Sequence, residues 1–144
     1  MARIEKSALV PYSAQAMFDL VADVERYKEF LPWCSDSALV SEGDGKLCGR
    51  IEVSRMGITQ AFTTCNDLDP PGRMGITLKE GPFRRLDGEW RFVTLRHDAC
   101  KVLLMMDFEF SGRLIDTAFG RVFNQVANSL VESFVSRARE VYGG

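Results

Sequence analysis

The stretch Arg113-Leu-Ile-Asp-Thr-Ala-Phe-Gly-Arg-Val-Phe-Asn-Gln-Val-Ala-Asn-Ser-Leu-Val-Glu-Ser-Phe-Val-Ser-Arg-Ala-Arg-Glu-Val-Tyr142 decides how the rest of the chain folds. It holds no proline, and apolar pairs recur at Ala118/Phe119, Val122/Phe123, Val126/Ala127, Leu130/Val131 and Phe134/Val135. The residues between them, among them Arg121, Asn124, Asn128, Glu132 and Arg137, are polar. That pattern predicts an amphipathic helix with a wide apolar face. At 1.5 Å per residue it would run roughly 40 to 45 Å. A repeat of four drifts by about 40° per step against the helical 3.6, so the apolar stripe winds round the axis. Such a face suits a curved surface better than one neighbouring helix.

Most of what precedes it reads as strands. Arg3 to Val10 is a first strand with Ile4, Ala8 and Val10 on one face, ended by Pro11. Ser13 is placed to cap a helix over Ala14 to Asp23 that buries Met17, Phe18 and Val21. A second short helix follows over Val24 to Leu31, with Tyr27, Phe30 and Leu31 inward, and Pro32 stops it.

From Ser35 to Gly112 the period is two. Leu47 to Val53, Ile58 to Asn66, Met74 to Leu78, Leu86 to Leu95 and Ala99 to Phe110 read as strands. Met56-Gly57, Asp69-Pro-Pro-Gly72 and Gly81-Pro82 are breaks between them. Asp87-Gly88 has the composition of a hairpin turn, but Gly88 fits better as an in-strand bend. Strands at this spacing predict a meandering antiparallel sheet of about seven strands. The long helix must cover its concave face, because nothing else in the chain can. The fold class is therefore α+β, a helix grip, with residues 1–144 as one domain.

A composition of 46% hydrophobic and 26% charged residues is that of a globular protein rather than a disordered one. With a net charge of -2 there is no global attraction to nucleic acid or to an anionic membrane. Arg84, Arg85, Arg91 and Arg96 are the candidates for a local basic patch, and a solvated sheet face explains them more simply. The N-terminus has no signal-peptide shape, and the apolar run Val102 to Met106 is too short to span a bilayer. Cys34, Cys48, Cys65 and Cys100 form no C-x-x-C pair. Together these point to a cytoplasmic chain whose cysteines are reduced and buried as small hydrophobes.

Catalytic and metal chemistry finds little to stand on. His97 is the single histidine and sits beside Asp98 between two strands, a hairpin position. Asp107 and Glu109 alternate with Phe108 and Phe110, so they face solvent if the phenylalanines face the core. No glycine-rich loop has phosphate-binding spacing. The reading is of a chain without catalytic residues or metal ligands, and not an enzyme. What remains is apolar. Phe62, Met74, Trp90, Phe92, Met106 and Phe108 point towards Phe119, Val122, Phe123 and Val126 on the helix. A solid core is one reading. The small residues Gly88, Ala118, Gly120 and Ala127 among bulky ones support the other, a space between sheet and helix. Gly120 also costs about 1 kcal/mol in a helix interior, which a close contact, a bend or a ligand would explain.

The motifs carry a resemblance over essentially the whole chain. Val10-Pro-Tyr-Ser13, Met17-Phe-Asp-Leu-Val-Ala-Asp-Val-Glu-Arg-Tyr27 and Phe30-Leu-Pro-Trp-Cys34 are its most specific blocks. Gly81-Pro-Phe83, Leu86, Gly88, Trp90, Phe92, Phe108-Glu-Phe110, Val122-Phe123 and Phe134 to Ala138 agree with them. The chain resembles the family of bacterial ribosome association toxins (RatA) and mitochondrial coenzyme Q-binding proteins, within the START-like superfamily. One departure is Lys28, where many relatives carry proline.

The resemblance implies a START-like helix-grip fold and a cavity that takes a hydrophobic ligand, a polyprenyl quinone such as ubiquinone, in support of respiratory electron transfer. The expected ligand-binding residues are Trp33, Phe62, Met74, Phe83, Trp90, Phe92, Met106, Phe108, Phe119 and Phe123. Trp33 and Phe83, apolar at turns, would form the mouth, with Phe119 and Phe123 nearer the ligand and Leu130, Val131 and Phe134 as core. For bacterial members the resemblance implies a second partner, the large ribosomal subunit, with block of subunit joining. It leaves open peripheral contact with the inner membrane.

Overall fold

The computed structural model describes residues 2–143. Strand β1 (Ala2–Val10) is followed by helix α1 (Ala14–Ala22), a 3-10 turn (Val24–Arg26) and the single helical turn α2 (Tyr27–Phe30). Six strands come next: β2 (Cys34–Gly43), β3 (Lys46–Arg55), β4 (Ile58–Asp69), β5 (Arg73–Glu80), β6 (Phe83–Arg96) and β7 (Ala99–Phe110). The chain closes with α3 (Arg113–Ala118) and α4 (Gly120–Tyr142). All seven strands form one antiparallel sheet in the order β1-β7-β6-β5-β4-β3-β2.

The sheet curls because its long strands are bulged and bent. Register shifts interrupt β2–β3, β4–β5 and β6–β7, and each bulge bends its strand and raises the local twist. Gly88 lies inside β6, paired to Ile76 on one side and Met106 on the other. A Cβ there would meet the Met105 carbonyl oxygen at 2.2 Å, so the two backbones approach as only glycine permits. The in-strand bend is correct.

The caps and stops act as their residue types dictate. Ala16 N–H donates to Ser13 Oγ at 3.1 Å, the N-cap of α1. The second short helix is not continuous. Asp23 and Arg26 split it into a 3-10 turn and one α turn, too short to keep a helical ladder of its own. Lys28 binds back to β2: its N–H donates to Ser37 Oγ at 3.3 Å, a bond that proline could not make.

The long helix also departs from the continuous Arg113–Tyr142 expected. It breaks at Phe119, and α3 contributes no buried residue. Gly120 marks the break. A Cβ on it would come 2.8 Å from Asp116 Oδ1 and 3.4 Å from the Phe110 ring. Of the explanations for the glycine, a close contact is the one observed, first with the Asp116 carboxyl and then with the Phe110 ring of β7. The 23 residues of α4 span about 34 Å. Val122, Phe123, Val126, Ala127, Val131, Phe134 and Ala138 are its buried stripe. At its far end Tyr142 Oη donates to the Ala16 carbonyl at 2.8 Å, and Arg137 reaches Glu29 at 3.1 Å over the Phe30 ring. These contacts tie α4 to α1 and α2.

The cysteines require a correction. Cys34 and Cys100 are free and buried, but Cys48 and Cys65 form a disulfide. They face each other directly across β3 and β4, with Cα atoms 4.0 Å apart. Seventeen residues apart in sequence, they meet only once the hairpin has set its register.

Candidate functional site

Two different environments lie between sheet and helix. Around the start of α4, Phe62, Phe83, Phe108, Phe110, Phe119 and Phe123 pack on one another. Phe83 and Phe108 lie 4.8 and 4.9 Å from the Phe123 ring, and Phe119 lies 6.0 Å from Phe110, all edge to face. Each such pair adds about 0.5 to 1.5 kcal/mol beyond burial. This end is solid.

Further along α4 a cavity opens. Tyr27, Trp33, Ile51, Phe62, Thr64, Asn66, Ile76, Leu86, Trp90 and Met106 line it from the sheet and α2 side. Phe123, Val126, Ala127, Leu130 and Phe134 line it from α4. Strand alternation puts Phe62, Thr64 and Asn66 on the same inward face of β4. Ala127 is the smallest residue of the lining. The free volume is about 70 Å3. That is room for roughly five waters, well short of the about 300 Å3 at which pockets for drug-sized ligands begin. Ile51, Asn66 and Leu130 are only half-buried, so the wall reaches the surface between α4 and the β3–β4 pair.

The wall is apolar with a few fixed polar groups. Tyr27 Oη donates to the Val21 carbonyl, and burial, with the charge of Asp23 next, pushes its pKa well above the usual tyrosine range. It stays a neutral, committed donor. Cys34, next to Trp33, is likewise held as a thiol by burial. Two atoms have no partner among the described residues: Trp33 Nε1 and Asn66 Oδ1, both fully buried. A buried polar group left unpaired costs about 1 to 3 kcal/mol. Both lie on residues of the same cavity wall.

The residues expected from sequence divide accordingly. Trp33, Phe62, Trp90, Met106 and Phe123 stand on the wall. Phe83, Phe108 and Phe119 belong to the aromatic cluster, because the helix break swings Phe119 against Phe110. Phe92 is covered by α1 through Phe18, at 5.9 Å. Met74 is fully buried behind Asn66, whose Nδ2 donates to its sulfur at 3.5 Å.

The mouth is not where turns suggested. Trp33 is 4% exposed and Phe83 6%, so both point inward and the surface approach lies at Ile51 and Leu130. Leu130 and Phe134, expected as core alone, line the cavity, and Phe119 does not. Asn66 was missed, although its even spacing from Phe62 along one strand was the signal for it.

Other chemistry is accounted for on the surface. His97 is exposed in the β6–β7 hairpin. Asp107 faces Arg3 at 3.9 Å and Glu109 faces Arg84 at 3.5 Å on the convex side. Arg85, Arg91 and Arg96 pair with Asp87, Glu89 and Asp98, so the arginines are neutralised rather than gathered into a patch. Among the described residues no cluster of His, Cys, Asp and Glu is built to hold a metal, and no helix is long and apolar enough to cross a membrane.

A curved sheet closed over a cavity by a C-terminal helix is an arrangement shared with known proteins. The polyketide cyclase / dehydrase and lipid transport family matches residues 10–135. The chain belongs to this family. Within this START-like family it is similar to the ribosome association toxin RatA of Vibrio cholerae, 44% identical over 143 residues that cover 99% of each chain. It is 29% identical to the mitochondrial coenzyme Q-binding protein COQ10 homolog B of Xenopus laevis, over 98% of this chain and 60% of that one. The crystal structure of the Zhui aromatase/cyclase from Streptomyces sp. R1128 superposes with a TM-score of 0.84 at 21% identity, covering 99% and 98% of the two chains. That last likeness is one of fold.

Proposed function

We propose that the protein binds a hydrophobic ring-and-tail ligand, a polyprenyl quinone such as ubiquinone, in the cavity between sheet and α4, without catalysing a reaction on it. One observation carries the reading: an apolar wall, two of whose residues carry an unpaired buried polar atom, in a family described as polyketide cyclase / dehydrase and lipid transport. The similarity to a coenzyme Q-binding protein supports the choice of quinone. Binding draws on burial of the tail at about 25 cal/mol per Å2, so affinity tracks tail length. The cavity must widen to admit a ring. Leu130 and Met106 are the unbranched or surface-reaching side chains able to move aside. The lining supports binding without catalysis: it holds no Asp, Glu, His, Lys or Arg, and burial keeps its tyrosine neutral. Support of respiratory electron transfer and peripheral contact with the inner membrane belong to the same reading. Mass measurement of the intact protein under native conditions, followed by lipid extraction, should find quinone. Finding no bound or exchangeable quinone would sink the proposal.

A second reading, association with the large ribosomal subunit and block of subunit joining, is supported by the RatA relatives at 44% identity. With the convex arginines ion-paired, that contact would be to ribosomal protein or to a small local set of cations. Sedimentation after overexpression tests it: joined ribosomes should fall, and an unchanged profile counts against it. Both roles fit one protein.

A further inference from the structure

We infer that the cavity selects the reduced, hydroxyl-bearing form of its ring ligand, a hydroquinone, over the oxidised quinone. The inference rests on the quinone-binding reading above and concerns what the wall does with the ring once it is inside.

The two unpaired atoms are of opposite kind. Trp33 Nε1–H can only donate, and Asn66 Oδ1 can only accept. Trp33 is held firmly: Ser54 N–H of β3 donates to its carbonyl at 2.8 Å, and its ring is almost wholly buried. The Asn66 amide is oriented as well. Its Nδ2 donates to the Met74 sulfur at 3.5 Å. Turning the amide over would set its oxygen against that sulfur, acceptor against acceptor. The oxygen therefore stays the unpaired end of the amide, on a residue of the cavity wall. Tyr27 cannot serve as a replacement donor, because its hydroxyl is committed to Val21.

A quinone ring carries acceptors alone. It can take the Trp33 proton on one carbonyl, but it then brings a second lone pair to Asn66 Oδ1 or leaves that oxygen dry and unpaired. A hydroquinone satisfies both atoms. One hydroxyl donates to Asn66 Oδ1 while the other oxygen accepts from Trp33. The wall holds no Lys or Arg to stabilise a phenolate, so the hydroxyl stays protonated and able to donate. The selection is one of binding, and no electron is transferred.

The test is calorimetric titration under anaerobic conditions with a ten-carbon-tailed benzoquinone, its hydroquinone, and the dimethyl ether of that hydroquinone. The unpaired acceptor predicts roughly ten-fold tighter binding of the hydroquinone than of the quinone. The ether, which has the same ring without donors, should bind no better than the quinone. In Asn66→Leu the hydroquinone-to-quinone ratio should fall to about one, while Asn66→Asp, which keeps an acceptor, should retain a preference. The Trp33 indole proton resonance should shift on saturation with either form. Equal affinities in the unaltered protein, or a preference shared by the ether or kept in Asn66→Leu, would overturn the selection and leave quinone binding standing. Binding of none of the three would overturn the quinone reading and the selection together. The unaltered protein alone decides the main point, so a variant that fails to fold does not rescue the inference.

Discussion

The two ends of the space under α4 are built from similar residues to opposite effect. Near the start of the helix, six phenylalanines pack ring against ring. About two turns further on, at Ala127, the lining encloses a cavity, and an indole N–H and an amide oxygen on residues of its wall are unpaired. The first end behaves as a core, where every contact adds stability. The second forgoes packing and hydrogen bonds, a cost that the proposed ligand would offset. One amphipathic stripe thus serves both stability and adjustable volume.

The sharpest way to separate the ends is truncation. Phe108→Ala, at a side chain 1% exposed in the aromatic cluster, should lose about 3 to 5 kcal/mol in denaturant unfolding. Leu130→Ala, half-buried on the cavity wall, should lose far less and change ligand uptake instead. Equal losses at both would erase the distinction.

The next effect concerns the wall strands. Cys48–Cys65 ties β3 to β4, which carry Ile51, Phe62, Thr64 and Asn66. A loop of this length is stabilised by about 3 kcal/mol when closed. Reduction, or Cys48→Ala with Cys65→Ala, should lower the unfolding free energy by that order. Amide exchange should rise in β3 and β4 before it rises around Phe108. Uniform exchange would mean the two ends are one cooperative unit.

A smaller effect tests the void directly. Ala127→Leu enlarges the smallest residue of the lining; if the added methylenes enter the cavity, stability should change by under about 1.5 kcal/mol in either direction. Lipid recovered with the purified protein should vanish. A large destabilisation would show that the end is packed after all.

The smallest effect lies outside both regions and serves as a control. Burial raises the Glu89 carboxyl, but bonds and charge from Arg91 and Arg73 outweigh it and hold its pKa below the usual value. A folded-state pKa that is depressed gives stability above the unfolded carboxylate range, lost as pH falls through it. Glu89→Gln should flatten that part of the acid limb in pH-dependent melting and leave lipid content unchanged.

The fold was legible because its signals are local. Period-two runs, Asp69-Pro-Pro-Gly72, the Ser13 cap and the stripe on α4 each name an element from its own residues. The site was legible by half. Trp90, Met106 and Phe123 follow from facing parity, but parity does not say which of two phenylalanines one helical turn apart meets a void. That depends on the break at Phe119, beside Gly120 and its contacts with Asp116 and Phe110. Trp33 read as an apolar turn residue at the mouth because it follows Pro32, while the fold buries it and ties its carbonyl to Ser54 of β3. The disulfide depended on register between strands, which composition does not carry.

The chain holds two tryptophans, and both stand on the cavity wall. Its tryptophan emission therefore comes from this one place. Folding state, solvent entry and occupancy of the cavity are all written in a single optical signal, and a ring that absorbs or quenches at those wavelengths would report its own arrival. The molecule needs no attached dye to show whether its interior is full.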